Sequence, residues 1–198
     1  MFRSAISARE RYGRLLVAII SAVIWATAGP PDASSAPPSK PTEYQVKAAY
    51  LYNVGKFIRW PAAAGKNGSF AICVLGHDPF GPTLDATLAG ETIDGRKVVA
   101  MRPARVQDAA ECRILFISSS ESARLAETLA ALGKAGILTV SDMPQFTERG
   151  GMIQFVLEGD RVRFEVNLAE AQRAGLSPSS ELLKVATTVR TMPRKESE

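Results

Sequence analysis

Three short apolar runs limit what this chain can fold into: "FAICVLG" from Phe70, "CRILFISSS" from Cys112 and "GILTVSD" from Gly136. A strand with one wet face alternates apolar and polar residues. These runs do not alternate, so they predict strands covered on both faces, as in a largely parallel sheet. Helical patterns separate them. Asp78 with Pro79 offers an N-cap and first position for a short helix. Ser118 and Glu121 form an S-x-x-E box ahead of "ESARLAETLAAL", with Gly133 suited to the C-terminal turn. A different pattern follows. "GMIQFVLE" and "RVRFEVNL" are joined by Gly159-Asp160. In the second, Val162, Phe164 and Val166 alternate with Arg161, Arg163, Glu165 and Asn167. Asp94-Gly95 marks a smaller hairpin. The expected fold is a single α/β domain: a sheet with helices on both faces and an antiparallel hairpin from Met152 to Asn167. Two helices close it, "AEAQRAG" and "PSSELLKVATTV", the second started by Ser177 with Pro178.

The first 28 residues read as an address. Arg3, Arg9, Arg11 and Arg14 precede the uncharged run "LLVAIISAVIWA", and Ala26-Thr27-Ala28 follows it. That is the layout of a secretory signal peptide cleaved near Ala28. The run falls short of the ~20 apolar residues a spanning helix needs. Residues 29–41, "GPPDASSAPPSKP", are a Pro/Ser/Ala leader with nothing to bury. The domain is expected over 42–190, with a flexible tail at 191–198. The whole chain carries +4. Four arginines and one glutamate lie in the signal, so three of those charges leave with it. No basic stripe remains to bind nucleic acid. The product is expected to be exported, into a compartment where Cys73 and Cys112 can oxidise. An even count favours one intramolecular bridge, with two buried free thiols as the alternative.

Catalytic signatures are missing. The chain has one histidine, His77. No G-x-S-x-G elbow, H-E-x-x-H motif, EF-hand loop or phosphate-loop spacing occurs. No C-x-x-C or histidine cluster offers a metal site. The sequence therefore points away from an enzyme, a metal or a cofactor, although distant carboxylates brought together by folding are invisible at this level.

The helix signalled by Thr42 and Gln45, a T-x-x-Q capping box, carries the first binding candidates. It should end before Pro61. At 100° per residue, Val46, Ala49, Tyr50, Leu51, Val54, Phe57, Ile58 and Trp60 fall on an arc of about 200°. Tyr52, Lys56 and Arg59 lie outside it, as a solvated face or an aromatic-basic recognition patch. Asn53 points into the apolar arc, where a buried amide needs partners. A polar latch is the commoner outcome there and a ligand contact the rarer. Arg163, Glu165 and Asn167 share one face of their strand and form the second candidate surface.

"EYQVKAAYLYNVGKFIRWP", "FAICVLGHDPFG", "CRILFISSS", "GILTVSD", "FTERGGMIQFVLEGDRVRFEVNL" and "AGLSPSSELLKVA" follow one another in an order that resembles the YfiR family. The resemblance covers about Glu43 to Val189. It implies a periplasmic regulator that binds the periplasmic domain of an inner-membrane diguanylate cyclase and holds it off. An OmpA-like outer-membrane lipoprotein would sequester the regulator, and a second copy of the chain is a further candidate partner. A small-ligand sensor serving another signalling protein is the alternative. Cys73 and Cys112 match a family disulfide. The second cysteine pair of the best-understood member, around Phe146 to Gln154, is missing here. Glu165 falls in a strand implicated in partner or ligand contacts.

Overall fold

A computed structural model describes residues 40–61, 68–133 and 135–191. The expected signal peptide, and all but a few residues of the leader and the tail, lie outside them. The described residues open with α1 (Glu43–Lys56), capped by Thr42. The Thr42 side chain accepts from the Gln45 amide, and the Gln45 side chain accepts from the Thr42 amide. The capping box expected from the sequence is present.

Next come β1 (Ile58–Arg59), β2 (Phe70–Leu75), α2 (Pro82–Leu88), β3 (Thr92–Ile93) and β4 (Arg96–Met101). They are followed by β5 (Cys112–Ile117), α3 (Leu125–Leu132), β6 (Leu138–Ser141), β7 (Ile153–Glu158) and β8 (Arg161–Asn167). The described residues end with α4 (Leu168–Arg173), β9 (Ser177–Pro178), α5 (Ser180–Val185) and β10 (Thr188–Arg190). Short 3-10 turns precede β5 and α3.

Eight strands form one sheet in the order β10-β8-β7-β6-β5-β2-β4-β3. β4, β2, β5, β6 and β7 run parallel, and β7–β8 is the expected antiparallel hairpin. Every residue of β2, β5 and β6 is buried, as their unbroken apolar runs require. Along β2, Phe70, Ile72 and Val74 face the layer holding α1, α2 and α5, while Ala71, Cys73 and Leu75 face the α3 layer. Cys73 and Cys112 form a disulfide inside that second layer, both fully buried. Asp94 and Gly95, at φ 50° and 74°, make the tight turn between β3 and β4.

Several local expectations need correction. The first helix ends at Lys56, because Ile58 and Arg59 pair antiparallel with Pro178 and Ser177. Ser177 and Pro178 are therefore strand, and Ser179 caps the following helix through the Leu182 amide. α2 starts at Pro82. Asp78 instead accepts from the Phe80 amide two residues on, a local turn, at 2.8 Å.

Losing Phe57, Ile58 and Trp60 from the helix turns its buried face. The buried residues of α1 are Lys47, Ala48, Leu51, Val54 and Gly55. That arc centres on Leu51, about 100° from the centre the sequence suggested. Asn53 lies on the far side and is exposed, so it is not a buried latch. Gly55 faces the core so closely that a Cβ there would come within 2.8 Å of Ile93 Cδ1.

The latch exists elsewhere. Asn167, expected on the open face of β8, is buried. Its amide nitrogen donates to the Thr147 carbonyl at 2.8 Å, and its amide oxygen accepts from the Glu170 backbone at 3.1 Å, capping α4. Asn167→Ala orphans one buried carbonyl and one helix-terminal amide and should cost about 2 kcal/mol. Asn53→Ala should shift stability by less than about 0.5 kcal/mol. Urea melts of the two variants check the contrast.

Candidate functional site

A cleft of about 710 Å³ opens at the amino ends of the parallel strands, where α1 runs out. Pairing of β1 with β9 forms one wall and carries Arg59, Trp60 and Ser177 into it. Arg96, at the start of β4, and Arg113, in β5, line the opposite side. Four basic residues, Lys56, Arg59, Arg96 and Arg113, face two acidic ones, Asp94 and Glu181.

Arg113 has an unusual backbone origin. Ala71 pairs with Cys112, yet Ile72 pairs with Ile114, so Arg113 is the extra residue of a β-bulge. A bulge lets a strand re-aim one side chain without spoiling the alternation beyond it. Here Cys112 stays on the disulfide face, Ile114 packs on the opposite face, and Arg113 lines the cleft. Its guanidinium lies 5.9 Å from the Trp60 ring centroid. Burial, and then Arg96 alongside, lower the Arg113 pKa below the ordinary arginine value, while Glu111 works the other way. The Trp60 indole N–H is buried and makes no hydrogen bond within the described residues. A desolvated donor and a desolvated cation on one cleft favour an anionic or acceptor-rich guest.

Ligands of open α/β sheets usually sit at the other edge, beyond the carboxyl ends of the strands. Here that edge is filled between β2 and β5. Ser120 Oγ accepts from the His77 amide at 2.9 Å. Gly76, at φ 88°, lies so close to Ser120 that a Cβ would overlap its hydroxyl.

The structure brings together part of the first sequence-expected patch. Lys56 Nζ stacks over the Tyr52 ring at 4.2 Å, and Lys56 and Arg59 both line the cleft. Tyr52 itself is half-buried, its hydroxyl donating to the Thr92 carbonyl at 3.4 Å. The second set is divided. Glu165 accepts from the Thr147 hydroxyl at 3.1 Å and lies 3.9 Å from Arg190. Arg190 also donates to Thr147 Oγ1 at 3.3 Å and pairs with Glu148 at 2.8 Å. Glu165 and Asn167 therefore converge on Thr147 and pin the loop before β7. Arg163 stays exposed, 3.9 Å from Glu158.

Two residues escaped the sequence reading. Arg113 left a signal, a lone charge inside an otherwise apolar strand. Lys47 left less. It is 3% exposed, pairs with Glu43 and, at 2.7 Å, with Asp142, and lies over the Tyr44 ring at 4.6 Å. Asp142 follows β6 directly, so this pairing ties the first turns of α1 to the carboxyl edge of the sheet.

Among the described residues, no group of three or more His, Cys, Asp or Glu side chains is placed to hold a metal, and no helix is long and apolar enough to cross a membrane. The molecule is a parallel α/β lobe with a cationic cleft at its amino edge. The YfiR/HmsC-like family model matches residues 44–187, and the chain belongs to that family. The family is one of periplasmic regulators of cyclic di-GMP signalling. No curated protein matches the chain. Among solved structures it is similar to a conserved domain protein from Vibrio cholerae O1 biovar El Tor, with TM-score 0.53 and 12% identity over 77% of this chain and 62% of that one. It is also similar to an ABC domain in complex with L-Trp from Streptococcus pneumoniae, with TM-score 0.51 and 12% identity over 72% of this chain and 60% of that one. The chain thus spans about three-fifths of each, and at this identity the likeness concerns the fold.

Proposed function

We propose that the chain is a non-enzymatic periplasmic regulator that binds the periplasmic domain of an inner-membrane diguanylate cyclase and inhibits it. Cyclic di-GMP and biofilm formation fall as a result. Membership of the YfiR/HmsC-like family over residues 44–187 carries this reading. The absence of a catalytic motif in the sequence agrees with it. An OmpA-like outer-membrane lipoprotein would relieve the inhibition by taking up the regulator. Lys56 and Arg59 are exposed and both line the cleft, and Lys56 lies over the Tyr52 ring, which suits them to the recognition surface. Crosslinking of intact envelopes containing the tagged protein tests the partner. A membrane diguanylate cyclase should be captured, and Lys56→Glu/Arg59→Glu should reduce its recovery at least fivefold. Capture without any cyclase would contradict the proposal.

The cleft supports a second reading, a small-ligand sensor serving a signalling protein. The observation that favours it is the bulge-aimed Arg113 beside Arg96 and Trp60. Its guest would be anionic. At a hundred times its Kd, a ligand adds about 2.7 kcal/mol, or roughly 5–10 °C in melting temperature for a domain of this size. Small molecules extracted from the periplasm should produce such a shift in the native protein and a smaller one in Arg59→Gln. Equal shifts in both proteins would remove the cleft from the account.

A further inference from the structure

A second cleft, of about 440 Å³, opens between α3 and α4 and shares no lining residue with the amino-edge cleft. It exists because one wall is built from side chains that stop at Cβ. Ala126 and Ala130 stand one turn apart on α3, both exposed. Leu129, Ile137 and Met152 give the cleft an apolar body. Its volume falls in the lower part of the range for small-molecule sites.

Arg149 at its edge supplies the chemistry. The side chain is held in place by Ser122, with Nη1 donating to the hydroxyl at 3.2 Å and Nη2 to the carbonyl at 2.7 Å. Both acceptors are neutral. Arg102, Arg124, Arg173 and Arg190 each sit within ion-pair distance of a carboxylate, but Arg149 does not, among the described residues. The other wall is already neutral, because Arg173 pairs with Glu170 at 3.0 Å. The cleft therefore carries one half-buried cation with no carboxylate at ion-pair distance among the described residues. Its orientation is fixed before any guest arrives. A guanidinium held in that way suits a carboxylate, which it can bind through two parallel hydrogen bonds.

We propose that this cleft binds a small monoanion, a carboxylate on a short apolar chain. The carboxylate lies on Arg149 and the chain over Leu129, Ile137 and Met152. The site is separate from the amino-edge cleft, so it stands or falls independently of both readings above.

Hexanoate is the probe, titrated calorimetrically into the mature protein, with hexanamide as its uncharged counterpart. Hexanoate should bind saturably at one site, and hexanamide at least tenfold more weakly. Arg149→Gln should weaken hexanoate at least tenfold. Because that change also frees Ser122, Ala130→Phe provides a second variant that fills the cleft and leaves Arg149 in place. It too should weaken binding at least tenfold with an unchanged melting temperature. Arg59→Gln, in the other cleft, should bind as the native protein does. No saturable binding, equal binding of hexanamide, full binding by Ala130→Phe, or loss of binding in Arg59→Gln would each overturn the proposal.

Discussion

Replacing both Cys73 and Cys112 by alanine should cost the domain about 4 kcal/mol. The bridge joins residues 39 apart in sequence, so in the unfolded chain it closes a long loop. Loop-closure entropy for that length gives the figure. Two features of the site support most of it appearing in practice. The cysteines lie on neighbouring strands, β2 and β5, which pair in parallel next to the bridge. Both are fully buried, so each alanine also leaves a small void among Leu115, Leu125 and Ile137 in the same apolar layer. Guanidinium melts of native and double-alanine proteins, both without reductant, measure the difference. A loss under about 1 kcal/mol would show that strand pairing alone fixes this region. Thiol titration of the unreduced protein should find no free thiol.

The second large effect is expected at Lys47. Lys47→Ala should cost about 3 kcal/mol, because it leaves Asp142 beside the core without its cation. Among the described residues, Asp142 then retains only the Tyr44 hydroxyl, which donates to it at 3.1 Å. Replacing both members, as in Lys47→Met/Asp142→Leu, should cost less than the single change, since no uncompensated charge remains. Additive losses would mean that the two groups act separately.

The same cluster sets an alkaline limit. Burial lowers the Lys47 pKa, but hydrogen bonds to Asp142 and Glu43 raise it more, and the net shift is upward. Burial, and then the Asp142 charge, raise the Tyr44 pKa. A pKa raised by folding stabilises the protein in full below the ordinary value and loses that contribution as pH rises through the folded one. Both groups therefore predict stability that is flat at neutral pH and falls above about pH 10. Lys47→Met/Tyr44→Phe, which takes out both groups, should remove much of the fall.

Much of this fold was legible because its strongest signals are local. Unbroken apolar runs gave β2, β5 and β6. Alternation gave β8, Asp94-Gly95 gave its hairpin, and Thr42 with Gln45 marked the start of α1. The misreadings share a non-local cause. Phe57 to Trp60 fit a helical pattern, but Ile58 and Arg59 pair with a segment more than a hundred residues away. Thr188–Arg190 continue the pattern of the last helix, yet they add an edge strand beside β8. The first error moved a site residue. The false helix extension rotated the apolar arc and buried Asn53 on paper. Simple alternation placed Asn167 in solvent, whereas the loop carrying Thr147 covers that end of β8. Arg113 was visible as a charge in an apolar strand. What aims it is a one-residue slip in pairing, and pairing is invisible in one sequence.

Control of a signalling enzyme by this chain is tested most directly by the cellular level of that enzyme's product. Cyclic di-GMP, quantified by mass spectrometry in otherwise identical cells with and without this chain, should rise severalfold on deletion. It should return to the starting level when the native protein is restored. An unchanged or lower level across growth conditions would contradict the account.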